Sequence, residues 1–357
     1  MNKPAPIKIT ILTGFLGAGK TTVLNEVLQD KRFAGTMVII NEFGDVGLDH
    51  LMVENTENDM LVMQSGCICC SIRGDLVTTF EKILRDVDNK RIKPIDHIII
   101  ETTGIASPGP IIASFLSHPY LHLRFNLSQI ITIADATAIT DTLNAHEEAQ
   151  TQLGMADQII ISKTDLVAQD KLPEILSNIA RYAPKTPIHI KQDIKIADLI
   201  FSQGKTKHDQ NTHHSHHHSG SHHHQHDQNA HQEIDSLSFS QDGAYNQQQL
   251  WNFLDILRSE YGANILRIKG IVTFDDAPKK TYAIHAVQHL LFPAKALDIK
   301  FSGQSELVII GKALNKGKIQ GLYRAFLGQI RHDEPDQAAI EDNPLSLLGA
   351  SINTGKN

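Results

Sequence analysis

The run Gly14-Phe15-Leu16-Gly17-Ala18-Gly19-Lys20-Thr21, followed by Thr22, holds residue types that could do phosphate chemistry. It fits G-x4-G-K-[ST], in which glycines let the backbone curl until successive N–H groups converge on phosphate oxygens. Lys20 would place a point charge on the β and γ phosphates of a nucleoside triphosphate, and the Thr21 hydroxyl would ligate Mg²⁺. Further on, Glu101-Thr102-Thr103-Gly104 supplies an acid that could hold Mg²⁺ through a water, and a glycine whose N–H could sense the γ-phosphate at close range. Helix capping is the competing reading of Glu101.

Ser162-Lys163-Thr164-Asp165 is a variant of N-K-x-D with Ser in place of Asn. Asp165 would accept from guanine N1 and N2, and adenine would leave that carboxylate unpaired, so GTP is the expected nucleotide. Lys163 would cover the base with its aliphatic stem. Nothing in the chain reads as an arginine finger, and Glu42 or Asp45 could only position water, so intrinsic turnover should be slow.

A different chemistry is written in Gly66-Cys67-Ile68-Cys69-Cys70, which gathers all three cysteines of the chain. Thiolates at that spacing suit Zn²⁺ or a neighbouring late ion such as Co²⁺ or Ni²⁺. Three cysteines leave a tetrahedral shell incomplete, which favours transfer over permanent holding, and Asp45 and Glu42 are candidate fourth ligands. A redox pair or buried thiols are the alternatives. The tract from 203 to 233 carries His213, His214, His216, His217, His218, His222, His223, His224 and His226, imidazoles that could collect divalent metal above about pH 6.5. A polar spacer or a purification tag is the alternative there, although tags are ordinarily terminal and unbroken. His285, His289 and the run His146-Glu147-Glu148 are expected to be structural.

These residues need a scaffold, and the hydropathy pattern predicts one. Apolar runs at Ile7–Leu12, Met37–Ile40, His97–Ile100, Ile130–Ala134 and Gln158–Ile161 read as buried strands, and Lys20–Gln29, Asp75–Val87 and Lys171–Tyr182 carry helical spacing. The expectation is an α/β fold: a P-loop domain over 1–202 with a mostly parallel sheet and helices on both faces. A low-complexity linker over 203–233 follows. Helices at Gln247–Arg258 and Lys316–Leu327, with strands at Ile265–Phe274, Tyr282–Ala286 and Leu307–Ile310, predict a smaller α+β domain over 234–334, and 335–357 is a tail. A net charge of -7 gives no reason to expect nucleic acid, and no apolar run is long enough for a membrane helix, so a cytoplasmic protein is expected.

Taken together, Gly14–Thr22, Asn41-Glu42-Phe43-Gly44, the cysteine loop, Glu101–Gly104, Ser162–Asp165 and Arg267-Ile268-Lys269-Gly270 resemble the CobW-like metallochaperone GTPases, in the family's order over nearly the whole chain. The segment Glu101–His118 is most similar to the bacterial YjiA-like subgroup, from which Ile40, standing where an acid is expected, departs. The resemblance implies a slow GTPase whose nucleotide state is coupled to metal at the cysteine loop, and whose partner is a client metalloenzyme. A homodimer is compatible with it. Metal storage on the histidine tract, with a regulatory nucleotide site, is the alternative function, and the client stays open between several metalloenzyme classes.

Overall fold

Strands that are apolar on both faces require a sheet covered on both sides. β1 (Ile7–Gly14), β4 (His97–Glu101) and β6 (Gln158–Ser162) are of this kind, buried almost throughout. In the computed structural model, which describes residues 5–41, 61–65, 72–201, 234–299, 301 and 303–328, they join β2 (Thr36–Asn41), β3 (Leu61–Ser65), β5 (Phe125–Asp135) and β7 (Ile188–Ile190). The seven strands lie in the order β3-β2-β4-β1-β5-β6-β7. Every pairing is parallel, so the expected mostly parallel sheet is parallel throughout.

The alternation along each strand sorts its side chains between two helical layers. Leu12, Val38, Ile99 and Ile131 pack with α1 (Lys20–Leu28) and α8 (Ile196–Phe201) on one face. Ile11, Ile39, Ile98 and Ile130 pack with α2 (Ile72–Asp88) and α3 (Pro108–Leu116) on the other. That second layer continues over Ile159 and Ile161 to α5 (Ile139–Ala145), α6 (Glu147–Gly154) and α7 (Leu172–Tyr182). β5 starts five residues before its predicted beginning, because the short α4 (Leu121–Arg124) feeds Phe125 and Leu127 straight into the core. α7 starts one residue later than predicted, after a 3-10 turn over Gln169–Lys171.

The second sheet is antiparallel. It is built from β8 (Ile234–Asp242), β9 (Ile265–Thr273), β10 (Thr281–Val287), β11 (Leu290–Leu291), β12 (Lys295–Leu297) and β13 (Gln304–Lys312). Its path is β11-β10-β9-β13-β8, with β12 paired to β10. One face buries Ile265, Ile268, Ile284 and Ile309 against α9 (Gln247–Tyr261) and α10 (Lys316–Leu327). Both helices begin on an asparagine cap: Asn246 accepts from the Gln249 N–H, and Asn315 from the Lys318 N–H.

The other face lies against the first unit, where Ile234, Leu266, Val287, Val308 and Ile310 share a core with Ile111, Phe115 and Met155. A bulge makes that face. Arg267 pairs with Ile310 and Ile265 with Gly311, so Leu266 has no partner on β13, and Leu266 and Arg267 both turn toward the first unit. A Cβ on Gly154, at the end of α6, would meet Leu266 Cδ1 at 2.9 Å. Arg267 is 1% exposed; it donates to the Met155 carbonyl at 3.0 Å and is paired with Asp157. Among the described residues no helix is long and apolar enough to cross a membrane.

Candidate functional site

Parallel βα units place loops at the carboxyl edge of the sheet, and the candidate residues gather there. The phosphate loop leaves β1 at Gly14, whose φ of 146° belongs to glycine, and a Cβ there would strike the Ile133 carbonyl at 2.3 Å. Gly17 and Gly19 also have positive φ, at 72° and 91°, and Gly19 caps α1, whose N-terminus faces the loop. Together the curl and the helix dipole suit an anion. The Lys20 ammonium lies within the loop, donating to the carbonyls of Gly14 at 3.0 Å and Phe15 at 3.1 Å.

Glu101 ends β4, the strand hydrogen-bonded between β1 and β2, with Leu12 and Ile40 as its register partners. The Thr21 hydroxyl donates to Glu101 Oε1 at 2.7 Å. Those are hard oxygen donors beside the phosphate loop, the type Mg²⁺ prefers. No helix begins at Glu101; the next one, α3, is capped by Ser107, so the capping reading of Glu101 falls away. Gly104 touches the phosphate loop. A Cβ added to it would lie 2.6 Å from the Leu16 nitrogen, so only glycine fits that position without displacing backbone.

The Ser162–Asp165 run is bound to the same loop. Ser162 Oγ donates to the Ala18 carbonyl at 2.8 Å. Lys163, at a left-handed φ of 57°, donates to the Gly17 carbonyl at 2.9 Å and to Asp135 Oδ2 at 2.6 Å. Burial alone would push the Asp135 carboxyl up; its bonds with Lys163 and Thr137 outweigh that and hold it below its ordinary range. Asp165 is exposed and accepts from Gln192 Nε2 at 3.1 Å. It lies at a surface depression of about 410 Å³ that it lines with Thr164, Leu172, Ile190 and Gln192.

Four participants escaped the sequence reading. Asp135 pairs with a lysine 28 residues away. Thr102 Oγ1 donates to Thr13 Oγ1 at 2.8 Å, joining the ends of β4 and β1. Gln152, 1% exposed on α6, donates to the carbonyls of Gly104 at 3.0 Å and Ala106 at 3.1 Å. His146 stacks on Phe15 of the phosphate loop, centroids 4.5 Å apart. Thr102 lies inside the Glu101–Gly104 run, where no role was read for it, and no local motif marks the other three, since each is defined by a partner on another element; only the position of His146 before an acidic helix start was visible.

Glu42, Asp45, the cysteines at 67, 69 and 70 and the histidines from His213 to His226 lie outside the described residues. The strands that lead to the first two groups are neighbours. Asn41 at the end of β2 is in register with Ser65 at the end of β3, and Ile40 with Glu101. Among the described residues no group of three or more His, Cys, Asp or Glu is placed to hold a metal ion.

A parallel sheet with a glycine-rich loop, a loop lysine and a Thr–Glu oxygen pair at its carboxyl edge defines a P-loop nucleotide-binding protein, here with an antiparallel domain appended. Residues 8–190 match the CobW/HypB/UreG nucleotide-binding domain, and residues 234–327 the cobalamin synthesis protein CobW C-terminal domain. The chain belongs to the CobW/HypB/UreG family. It is 40% identical over 180 residues to the zinc chaperone YjiA of Escherichia coli, covering 50% of this chain and 56% of that protein. It is 33% identical over 213 residues to the zinc chaperone CobW of a Sinorhizobium species, covering 52% and 58%. The aligned part thus spans little more than half the length of these relatives. The zinc-bound YjiA GTPase from E. coli superposes with a TM-score of 0.64 at 25% identity, over 90% of this chain and 99% of that one.

Proposed function

We propose that the chain is a GTP-hydrolysing metallochaperone that carries Zn²⁺, or Co²⁺ or Ni²⁺, on Cys67, Cys69 and Cys70 and delivers it to a client metalloenzyme. The observation that carries the reading is the meeting, at one sheet edge, of the phosphate loop, the Thr21–Glu101 pair and the strand ends that lead to Glu42–Asp45 and Cys67–Cys70. Relatives named as zinc chaperones support the cargo. In this reading residues 1–202 form the nucleotide domain, 203–233 a histidine-rich linker and 234–334 the appended domain, in the cytoplasm.

The loop N–H groups and Lys20 bind the β and γ phosphates, and Asp165 takes the guanine edge while the Lys163 stem covers its face. Thr21 and Glu101 are the residues that would hold Mg²⁺, and the ion would supply positive charge to the phosphates of the nucleotide. Glu42 or Asp45 orients a water that attacks the γ-phosphorus, the bond to the bridging oxygen breaks, and GDP and phosphate leave. Gly104, in contact with Leu16, moves with the phosphate loop when the γ-phosphate departs. The β2 and β3 ends neighbour that movement, so metal affinity differs between GTP and GDP states.

The decisive measurement is Zn²⁺ affinity, by competition with a chromophoric chelator, in the GTP and GDP states, with turnover of GTP and ATP alongside. The proposal expects GTP to be preferred, and metal affinity to change with the nucleotide and with Cys69→Ser. Equal affinity in both states would overturn the coupling, and equal turnover of ATP the reading of Asp165. The nine-residue histidine set favours storage as the second reading; removal of 208–231 that strips most bound metal while GTP turnover stays unchanged would establish it instead.

A further inference from the structure

β6 and β7 end side by side, with Ile161 in register with Ile190. Each is followed by a 3-10 turn, Thr164–Leu166 after β6 and Lys191–Asp193 after β7. The second turn is tied to α1 as well, since the Lys191 ammonium lies 3.1 Å from the carboxylate of Glu26. Gln192, in the middle of that turn, reaches across to the first. Its Oε1 accepts from the Thr164 hydroxyl at 2.7 Å, and its Nε2 donates to Asp165 Oδ1 at 3.1 Å.

The amide can lie only one way round. Turned over, it would set a carbonyl oxygen against a carboxylate, whereas as placed its donor meets an acceptor and its acceptor a hydroxyl. Of the side chains of similar reach, Glu lacks the donor that Asp165 needs and Lys the acceptor that Thr164 needs. Asp165 stands on an exposed turn, and Gln192 lines the same depression of about 410 Å³. An exposed carboxylate that must meet two donors at once has to be ordered first, and that ordering weakens binding. A bond made before the nucleotide arrives removes part of the penalty. It uses one lone pair of Oδ1 and leaves the carboxylate able to accept twice more, once on each oxygen.

We propose that Gln192 is a positioning residue for the choice of base: its bond to Asp165 presets the carboxylate that selects guanine, and the Thr164 hydroxyl presets Gln192. The inference rests on Asp165 taking the guanine edge, as in the function proposed above. It extends that choice from one side chain to a chain of three, Thr164–Gln192–Asp165, joining the ends of two neighbouring strands.

The test measures the affinity of the full chain for GDP, IDP and ADP by displacement of a fluorescent nucleotide. IDP lacks only the 2-amino group of GDP, so it offers Asp165 one donor in place of two. The wild-type chain is expected to hold GDP about tenfold or more tighter than IDP, with ADP weaker still. In Gln192→Leu, GDP should weaken about threefold to tenfold and IDP by less, because a loose carboxylate follows one donor more easily than two. The preference for GDP over IDP should therefore shrink by about threefold or more. Thr164→Val should shift it the same way and less far. Gln192 is exposed, so its replacement should leave the chain folded, with a thermal melt as the control. If Gln192→Leu scales all three affinities alike, as a merely structural role would, or leaves them unchanged, the role of Gln192 is overturned and Asp165 keeps its own. A wild-type chain that holds GDP, IDP and ADP equally would overturn the reading of Asp165 and this inference with it.

Discussion

At the scale of single residues, the site depends on contacts with no slack. Gly104 is the sharpest case, because a Cβ there meets the backbone nitrogen of Leu16 rather than a side chain that could swing away. Gly104→Ala should therefore lower GTP affinity or turnover by roughly tenfold or more, with thermal stability reduced by about 1–3 kcal/mol from the overpacking. Fluorescent-nucleotide titration and phosphate release would check this, and an unchanged rate would mean that the loop yields without consequence. The glycines and Lys20 were legible in the sequence because the phosphate loop is local: its geometry is written in eight consecutive residues and the strand and helix on either side. Asp135 was not. Its role is set by a lysine just past the end of the next strand, and an acid at a strand end has many ordinary uses.

At the scale of elements, the long buried strands and the amphipathic α2 and α7 were readable from period alone, because burial on one or both faces imposes it. The short helices were not. α5 and α6 span only 7 and 8 residues, with buried Gln150, Thr151 and Gln152 in α6 blurring the apolar stripe. Those polar side chains are buried because they bond to backbone: Gln150 Nε2 to the Leu143 carbonyl, Thr151 to the Glu147 carbonyl, and Gln152 to Gly104 and Ala106. α6 thereby links the loop after β4 to the antiparallel sheet, which Gly154 meets at its far end. Gln152→Leu keeps the size and removes the two bonds to the Gly104 loop. It should cost about 1–3 kcal/mol in urea unfolding, and should also slow GTP turnover. A variant that loses stability but keeps its turnover would show α6 to be a strut alone.

At the scale of the whole molecule, burying charge where the two units meet makes their union conditional. Arg267→Met leaves Asp157 without its main partner and should destabilise by about 3–5 kcal/mol, read as a lower urea midpoint. Acid should act at the same place and in the first unit. Burial holds His285 down to about 4, with Arg267 adding to it, and holds His97 down to about 4 beside Lys8. Between pH 6.5 and 4 the unfolded chain takes up these protons and the folded chain does not, so stability falls as pH falls through that window. Each residue withdraws up to roughly 3 kcal/mol. Lys269 has the same sign at higher pH: depressed to about 7, it is charged more readily in the unfolded chain above that value, so stability rises with pH beyond 7. Melting curves from pH 4 to 9 would check both, and His285→Gln should flatten the acid limb.

The bulge on β9 has one more consequence. Without Leu266, the strand would still alternate, with Ile265 and Ile268 on the α9 side and Arg267 on the opposite side between them. The appended sheet could therefore be complete with one residue fewer, and its own core would lose nothing. What that extra residue serves is Gly154 on the other unit. Leu266 is thus an insertion with an outside beneficiary, and a C-terminal domain transplanted onto another P-loop partner would carry this single-residue key whether or not the new partner had a lock for it.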